Sequence, residues 1–129
     1  SMFFVGHSFG SAAALAAADV AARHLGGQCE VEGRTVALHV AGVCTLNGVL
    51  GSGGSRQFSS LQEARALLVV GNADTVIVPE TTVAIYDTLP MKDKRLLVLP
   101  GADHGLCFEK LQLVSEIVDF IAGGQCSHT

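Results

Sequence analysis

Three stretches of the chain are apolar almost without interruption: Val36-Ala-Leu-His-Val-Ala-Gly-Val-Cys44, Ala66-Leu-Leu-Val-Val70 and Arg95-Leu-Leu-Val-Leu99. A strand with one wet face alternates apolar and polar residues. These stretches do not alternate, so both of their faces must be covered, as they are inside a parallel sheet. Phe3-Phe4-Val5, closed by Gly6, reads as the tail of a further buried strand. Helical segments fall between the strands. Ser11 to Leu25 is rich in alanine and stops at Gly26-Gly27. Glu80 to Thr88 follows Pro79, a residue suited to a first helical turn. Phe108, Leu111, Val114, Val118 and Ile121 recur at helical spacing, with Glu109, Lys110, Gln112, Glu116 and Asp119 between them. That pattern predicts an amphipathic helix lying on the sheet and ending at Gly123-Gly124. Gln28 to Thr35 reads as a polar turn and Lys92 to Arg95 as a solvated charged turn. Asn47 to Ser60, rich in glycine and serine, reads as a flexible surface loop, followed by a helical turn at Leu61 to Ala64. The alternation predicts an α/β fold with a parallel sheet of about four strands and flanking helices. A chain of 129 residues suits one domain, spanning 1–129.

The composition narrows the class of function. At 49% hydrophobic and 16% charged residues the chain is too apolar for a disordered tail. A net charge of -4 argues against a nucleic-acid partner. No apolar run approaches the ~20 residues of a membrane span. The N-terminus has no basic region followed by a signal-like apolar stretch, so a cytoplasmic location is favoured. Cys29, Cys44, Cys107 and Cys126 are scattered and form no C-x-x-C pair, which speaks for free thiols and against structural zinc. With a helix over 107–121, Cys107 and Cys126 would stand about 25 Å apart, too far to pair.

The chemistry concentrates at Gly6-His7-Ser8-Phe9-Gly10, a G-x-S-x-G string with an apolar strand before it and an alanine-rich helix after it. Such a strand-to-helix turn is tight enough to strain the serine backbone and raise its hydroxyl above the sheet. Glycine is expected at 6 and 10 because a Cβ there would collide with the neighbouring chain. The turn would aim the Phe9 N–H at a developing oxyanion. A serine needs a base to accept its proton. Of five histidines, His39 sits mid-strand, His128 in the tail, His24 near a helix end, and His7 beside Ser8 on a turn where neighbours point apart. His104 is favoured: it lies in Pro100-Gly-Ala-Asp-His-Gly105, just past the carboxyl end of a strand, the edge where open parallel sheets bind ligands. Asp74, in Gly71-Asn-Ala-Asp-Thr-Val-Ile-Val-Pro79, follows the preceding strand and is the favoured acid. Asp103 is its rival but adjoins the histidine, and Asp87 and Asp93 lie toward the opposite edge.

The elbow, the Asp74 segment and the Gly-Ala-Asp-His-Gly loop together resemble, in type and order, the C-terminal half of an α/β-hydrolase, from Phe3 to about Gly123. Within that superfamily the chain looks most like the lidless dienelactone-hydrolase, chlorophyllase and cutinase-like branch. The resemblance implies Ser8 as nucleophile, His104 as base, Asp74 as acid and Phe9 as one oxyanion donor. It implies a small or polymeric carboxylic ester as substrate and no metal or organic cofactor. It also implies that the early strands, and the loop supplying a second oxyanion N–H, are absent from this chain. Cutinase-like relatives often tie the histidine region with a disulfide, but the Asp74 segment has no cysteine to meet Cys107. Without the early strands, Phe3-Phe4-Val5 is expected at an open sheet edge with two exposed phenylalanines, beside a helix face of Ala12, Ala16 and Val20, so self-association is expected there. The competing reading is a catalytically silent fragment that acts as a binding or assembly module.

Overall fold

The most continuous apolar segments take the centre of the sheet. In a computed structural model, which describes residues 1–24, 28–37, 39–50, 55–105 and 111–123, β1 (Met2–His7) is followed by α1 (Gly10–His24) and a hairpin of β2 (Gln28–Val31) and β3 (Arg34–Ala37). Then come β4 (Val40–Leu46), a 3-10 helix (Ser55–Leu61), β5 (Arg65–Gly71), α2 (Pro79–Thr88), β6 (Asp93–Leu99) and α3 (Leu111–Ala122). Four strands form one sheet in the order β1-β4-β5-β6, all parallel. Alternate residues of the central strands feed two cores. Val43, Ala66 and Leu68 pack with Leu15 and Ala18 of α1, Phe58 and Leu61 of the 3-10 helix, and Ile85 of α2. Cys44, Leu46, Leu67 and Val69 pack with Leu113 and Phe120 of α3 on the other face. Burial on both faces accounts for the absence of alternation in the sequence.

Several expectations need correction. Residues 28–37 form an antiparallel hairpin rather than a polar turn, with Glu32 (φ 50°) and Gly33 (φ 76°) at its tip. Two positive φ values are what a two-residue turn between right-twisted strands requires. The strand expected over 36–44 therefore divides. Val36 and Ala37 belong to the hairpin, and the sheet strand runs from Val40 to Leu46, with His39 exposed just before it. The helical piece near residue 60 begins earlier, at Ser55, and Phe58 and Leu61 plug the core. Lys92–Arg95 is mostly strand. Lys94 Nζ donates to the carbonyls of Tyr86 (2.5 Å) and Leu89 (3.2 Å) at the end of α2, and Arg95 pairs with Glu116 of α3 at 3.0 Å.

The buried face of α3 is Leu113, Ile117 and Phe120, while Val114, Val118 and Ile121 of the expected stripe are 52%, 56% and 44% exposed. Both sets recur at helical spacing. Phe120 settles the choice by stacking edge-on against Phe3, with ring centroids 5.7 Å apart, while Arg65 lies over both rings and donates to the Phe120 carbonyl at 2.7 Å. Phe3 is consequently half-buried, Phe4 is half-buried against the core on the opposite face, and the exposed apolar residue of β1 is Val5. Ala16 and Val20 of α1 are exposed, and Ala12 is half-buried.

Cys44 is a buried free thiol, pushed up to about 12 by desolvation, and so unreactive. The Cys29 side chain, Cys107 and Cys126 lie outside the described residues, as do Gly26-Gly27, Phe108, Gly124 and His128. Among the described residues no helix is long and apolar enough to cross a membrane.

Candidate active site

Ser8 directly follows the last residue of β1 and stands two residues before the first of α1, and its φ is +56°. A non-glycine residue in the left-handed region is uncommon and costs energy. The surroundings hold it there: Ser8 N–H donates to the Leu46 carbonyl at 2.9 Å, and the Ser8 carbonyl accepts from Ser11 N–H at 3.0 Å. Buried Ser11 also donates its hydroxyl to the Gly6 carbonyl at 3.0 Å. A Cβ on Gly6 would stand 2.1 Å from the Gly10 carbonyl oxygen, so the turn closes only with glycine at 6. The same reasoning fails for Gly10, where a Cβ would meet nothing within 4 Å.

Asp74 sits in the turn that leaves β5, its N–H bonded to the Gly71 carbonyl at 3.1 Å. Its Oδ1 accepts from the backbone N–H groups of Val76 (2.8 Å) and Ile77 (2.9 Å), and its Oδ2 lies 2.8 Å from His104 Nδ1. Burial pushes this carboxyl up, but the hydrogen bonds from His104 and from the Ile77 and Val76 amides outweigh it and hold Asp74 below the ordinary aspartate range. An ionised carboxylate only accepts, so Nδ1 of His104 carries the proton. In the neutral ring Nε2 is then the acceptor, and it lies 3.0 Å from Ser8 Oγ. The carboxylate is fully covered and the imidazole is 23% exposed. The three side chains nominated from sequence are thus in one hydrogen-bonded line at the carboxyl edge of the sheet. Asp103 takes no part in that line: it is exposed, and its Oδ1 accepts from Gly105 N–H at 3.0 Å, shaping the loop. Phe9 follows Ser8, directly before α1, and is 75% exposed.

Two residues that the sequence reading sets aside belong to the site. Asn47, placed there in a flexible loop, is completely buried with φ +47°. Its Nδ2 donates to the carbonyls of Asp103 (3.1 Å) and His104 (2.9 Å), and its Oδ1 accepts from Gly71 N–H at 2.8 Å. It ties the ends of β4 and β5 to the histidine loop. His7 points its Nε2 at the same His104 carbonyl, 2.7 Å away, with its ring 4.9 Å from the His104 ring. An asparagine directly after an apolar strand, at the edge where the chemistry gathers, was a usable signal for Asn47, since asparagine tolerates the left-handed region. Asn72 repeats the pattern after β5, accepting from Gly101 N–H at 2.7 Å. Behind both, a Cβ on Gly71 would stand 2.3 Å from the Ala102 carbonyl oxygen, so the aspartate and histidine loops touch through bare backbone. Among the described residues no three His, Cys, Asp or Glu side chains gather to hold a metal ion.

No protein-family model and no curated protein sequence matches the chain. Solved structures do. Zea mays acyl-protein thioesterase 2 superposes with a TM-score of 0.66 at 18% identity, over 92% of this chain and 54% of that one. Dienelactone hydrolase from Anabaena variabilis gives 0.61 at 22% identity, over 96% and 50%. Paleococcus ferrophilus monoacylglycerol lipase gives 0.59 at 18% identity, over 94% and 66%. The chain spans about half to two-thirds of the length of these three proteins. What they share with it is architecture: the four-stranded parallel sheet and flanking helices match part of the α/β-hydrolase fold.

Proposed function

We propose that the chain is the portion, from the nucleophile turn onward, of a serine hydrolase of carboxylic esters. The observation that carries the proposal is the line Ser8 Oγ–His104 Nε2–His104 Nδ1–Asp74 Oδ2, at 3.0 and 2.8 Å, starting on a serine held at φ +56°. Strain at a serine with an acceptor nitrogen in reach is the arrangement of an activated nucleophile. In this mechanism Ser8 Oγ attacks the ester carbonyl as His104 Nε2 takes its proton. The Phe9 N–H, at the positive end of α1, stabilises the tetrahedral oxyanion. His104 returns the proton to the departing alkoxide, leaving an acyl-enzyme. Water, deprotonated by the same nitrogen, then releases the acid. Asp74 keeps the Nδ1 proton in place and stabilises the imidazolium. Reaction with a fluorophosphonate probe tests the reading: one equivalent is expected on Ser8, and none on Ser8→Ala.

Phe9 is the one oxyanion donor assigned. Loss of a single donor typically costs about 10²–10³ in kcat, so turnover of p-nitrophenyl butyrate by this chain is expected to fall short of a full-length esterase by that order. The outer position of β1 and the coverage of only about half of two of the three neighbours named favour a second reading, a fragment that binds or assembles without turning over. An unlabelled Ser8 in folded protein would select it.

A further inference from the structure

We propose that His7 is a positioning residue that sets the reach of His104 by gripping its backbone carbonyl, an inference resting on the hydrolase reading of the same site. A ring can meet two partners at once only if its own backbone is fixed. Yet His104 sits beyond the end of β6, on a loop that includes Gly101 and Gly105. Its carbonyl oxygen has two lone pairs, and two side chains from different strands are placed to use them. Asn47 Nδ2, beyond β4, is 2.9 Å away, and His7 Nε2, on the last residue of β1, is 2.7 Å away.

The proton positions follow from the partners. A carbonyl only accepts, so Nε2 of His7 carries the hydrogen. Asn47 cannot be turned over, because its Oδ1 faces the Gly71 N–H while its Nδ2 faces two carbonyls. The two grips differ in what they fix. Asn47 ties the loop to the sheet centre. His7 adjoins Ser8, so its bond spans the gap between nucleophile and base with a single covalent step on the serine side. Its ring also lies beside the His104 ring, centroids 4.9 Å apart at 40°, which restricts rotation of the imidazole away from Ser8. The separation that matters, 3.0 Å from Nε2 to Oγ, is therefore set from the residue next to the nucleophile as well as from Asp74.

The test uses the whole chain with His7→Leu, which removes the donor, and His7→Gln, which keeps an N–H at about the same reach. A misplacement of about 1 Å costs about 10²-fold in rate. The maximal rate of fluorophosphonate labelling is expected to fall about 10- to 100-fold in His7→Leu with the half-saturating probe concentration unchanged, and to recover to within a few-fold of wild type in His7→Gln. Without any probe, the low-field proton resonance of His104 Nδ1–H should broaden or shift in His7→Leu and be retained in His7→Gln. Unchanged labelling and an unchanged resonance in folded His7→Leu would overturn the proposal, since Asn47 alone would then suffice. Equal losses in both variants would also overturn it, because the donor would not be what matters. If wild type is not labelled at all, the hydrolase reading fails, and the resonance alone decides whether His7 holds His104.

Discussion

β1 and β6 are the two outer strands of the sheet, and each delivers one partner of the Ser8–His104 pair. They do so by opposite means. Beyond β1 no slack remains: Ser8 follows the strand directly, and its place is dictated by backbone, through the bare Gly6, a φ of +56° and backbone hydrogen bonds donated to Leu46 and accepted from Ser11. Beyond β6 the chain runs through Pro100, Gly101, Ala102 and Asp103 before His104, and its place is dictated by side chains from elsewhere: Asn47, Asn72, His7 and Asp74. A backbone device concentrates its signature in one short string. A side-chain device scatters it over the chain.

The largest expected effect lies on the β1 side. Ser8→Ala should abolish fluorophosphonate labelling and lower any esterase kcat by up to about 10⁶-fold, as removal of such a nucleophile does, with the melting temperature unchanged or raised. An Ser8→Ala protein that hydrolyses p-nitrophenyl butyrate as fast as wild type would dissolve the pairing of the two strands altogether.

On the β6 side the brace is Asp74. Asp74→Asn should cost about 10⁴-fold in kcat by admitting the wrong tautomer of His104, while Asp103→Asn should cost less than about tenfold, since the carboxylate 2.8 Å from His104 Nδ1 is that of Asp74, and the Asp103 carboxylate accepts from Gly105 N–H. Reversed magnitudes would mean that the histidine loop rearranges in solution. Stability should show the same asymmetry with pH. Asp74 is held below its ordinary value, so its contribution is complete above the unfolded aspartate value of about 3.9 and is lost as pH falls through the lower folded value. Acid titration of the melting temperature should therefore be shallower in Asp74→Asn than in wild type below that pH.

The same contrast explains how much of the molecule was legible in its sequence. The two central strands announced themselves because both faces are buried, the two outer strands because their apolar runs are unbroken, and the elbow because only glycine fits at 6. Asp74 and His104 were nominated from strand ends together with the elimination of their rivals, Asp103 because it adjoins His104 and the other histidines by their places in the chain. His7 was not legible, because nothing local marks a side chain whose partner lies 97 residues away, and Asn47, whose partner lies 57 residues away, left only the mark of an asparagine directly after an apolar strand. The hairpin over 28–37 was hidden because its strands are only four residues each, too short for the Cys29-Val31 alternation to stand out, and a Glu-Gly tip is a weaker turn signal than Asn-Gly. The face of α3 was ambiguous because apolar residues cover two adjoining stripes, and only the seat of Phe120 beside Phe3 chooses between them.

A backbone-determined turn should fail through the backbone. Gly6→Ala places a methyl 2.1 Å from the Gly10 carbonyl oxygen, backbone against backbone, with no side chain that can swing aside. Overpacking costs about 1–3 kcal/mol where neighbours can shift, and here the upper end is expected, with loss of labelling at Ser8. Gly10→Ala, with open space around the position, should leave the thermal melt within a few degrees of wild type. A Gly6→Ala protein that melts like wild type would show that the elbow relaxes, and that β1 holds its serine no more rigidly than β6 holds its histidine.

The smallest effect concerns the flanks of the two strands rather than their ends. β6 begins with Asp93, Lys94 and Arg95, and the two basic residues are tied to α2 and α3. Charged residues at a sheet edge discourage pairing with another chain. β1, Met2 to His7, has no Asp, Glu, Lys or Arg, and among the described residues no strand lies beyond it. Its phenylalanines are half-covered, so the attraction is smaller than two bare aromatic rings would give, but Val5 is 48% exposed and the outer backbone groups remain available to another strand. Weak association through β1 is therefore expected, with a scattering mass that rises with concentration in the micromolar range. Val5→Lys should suppress that rise while leaving Ser8 labelling within a few-fold of wild type, whereas Val98→Lys, on the already charged β6, should not. A scattering mass that stays monomeric for wild type at all concentrations, or that responds equally to both substitutions, would remove the distinction between the two edges and leave only the distinction between their carboxyl ends.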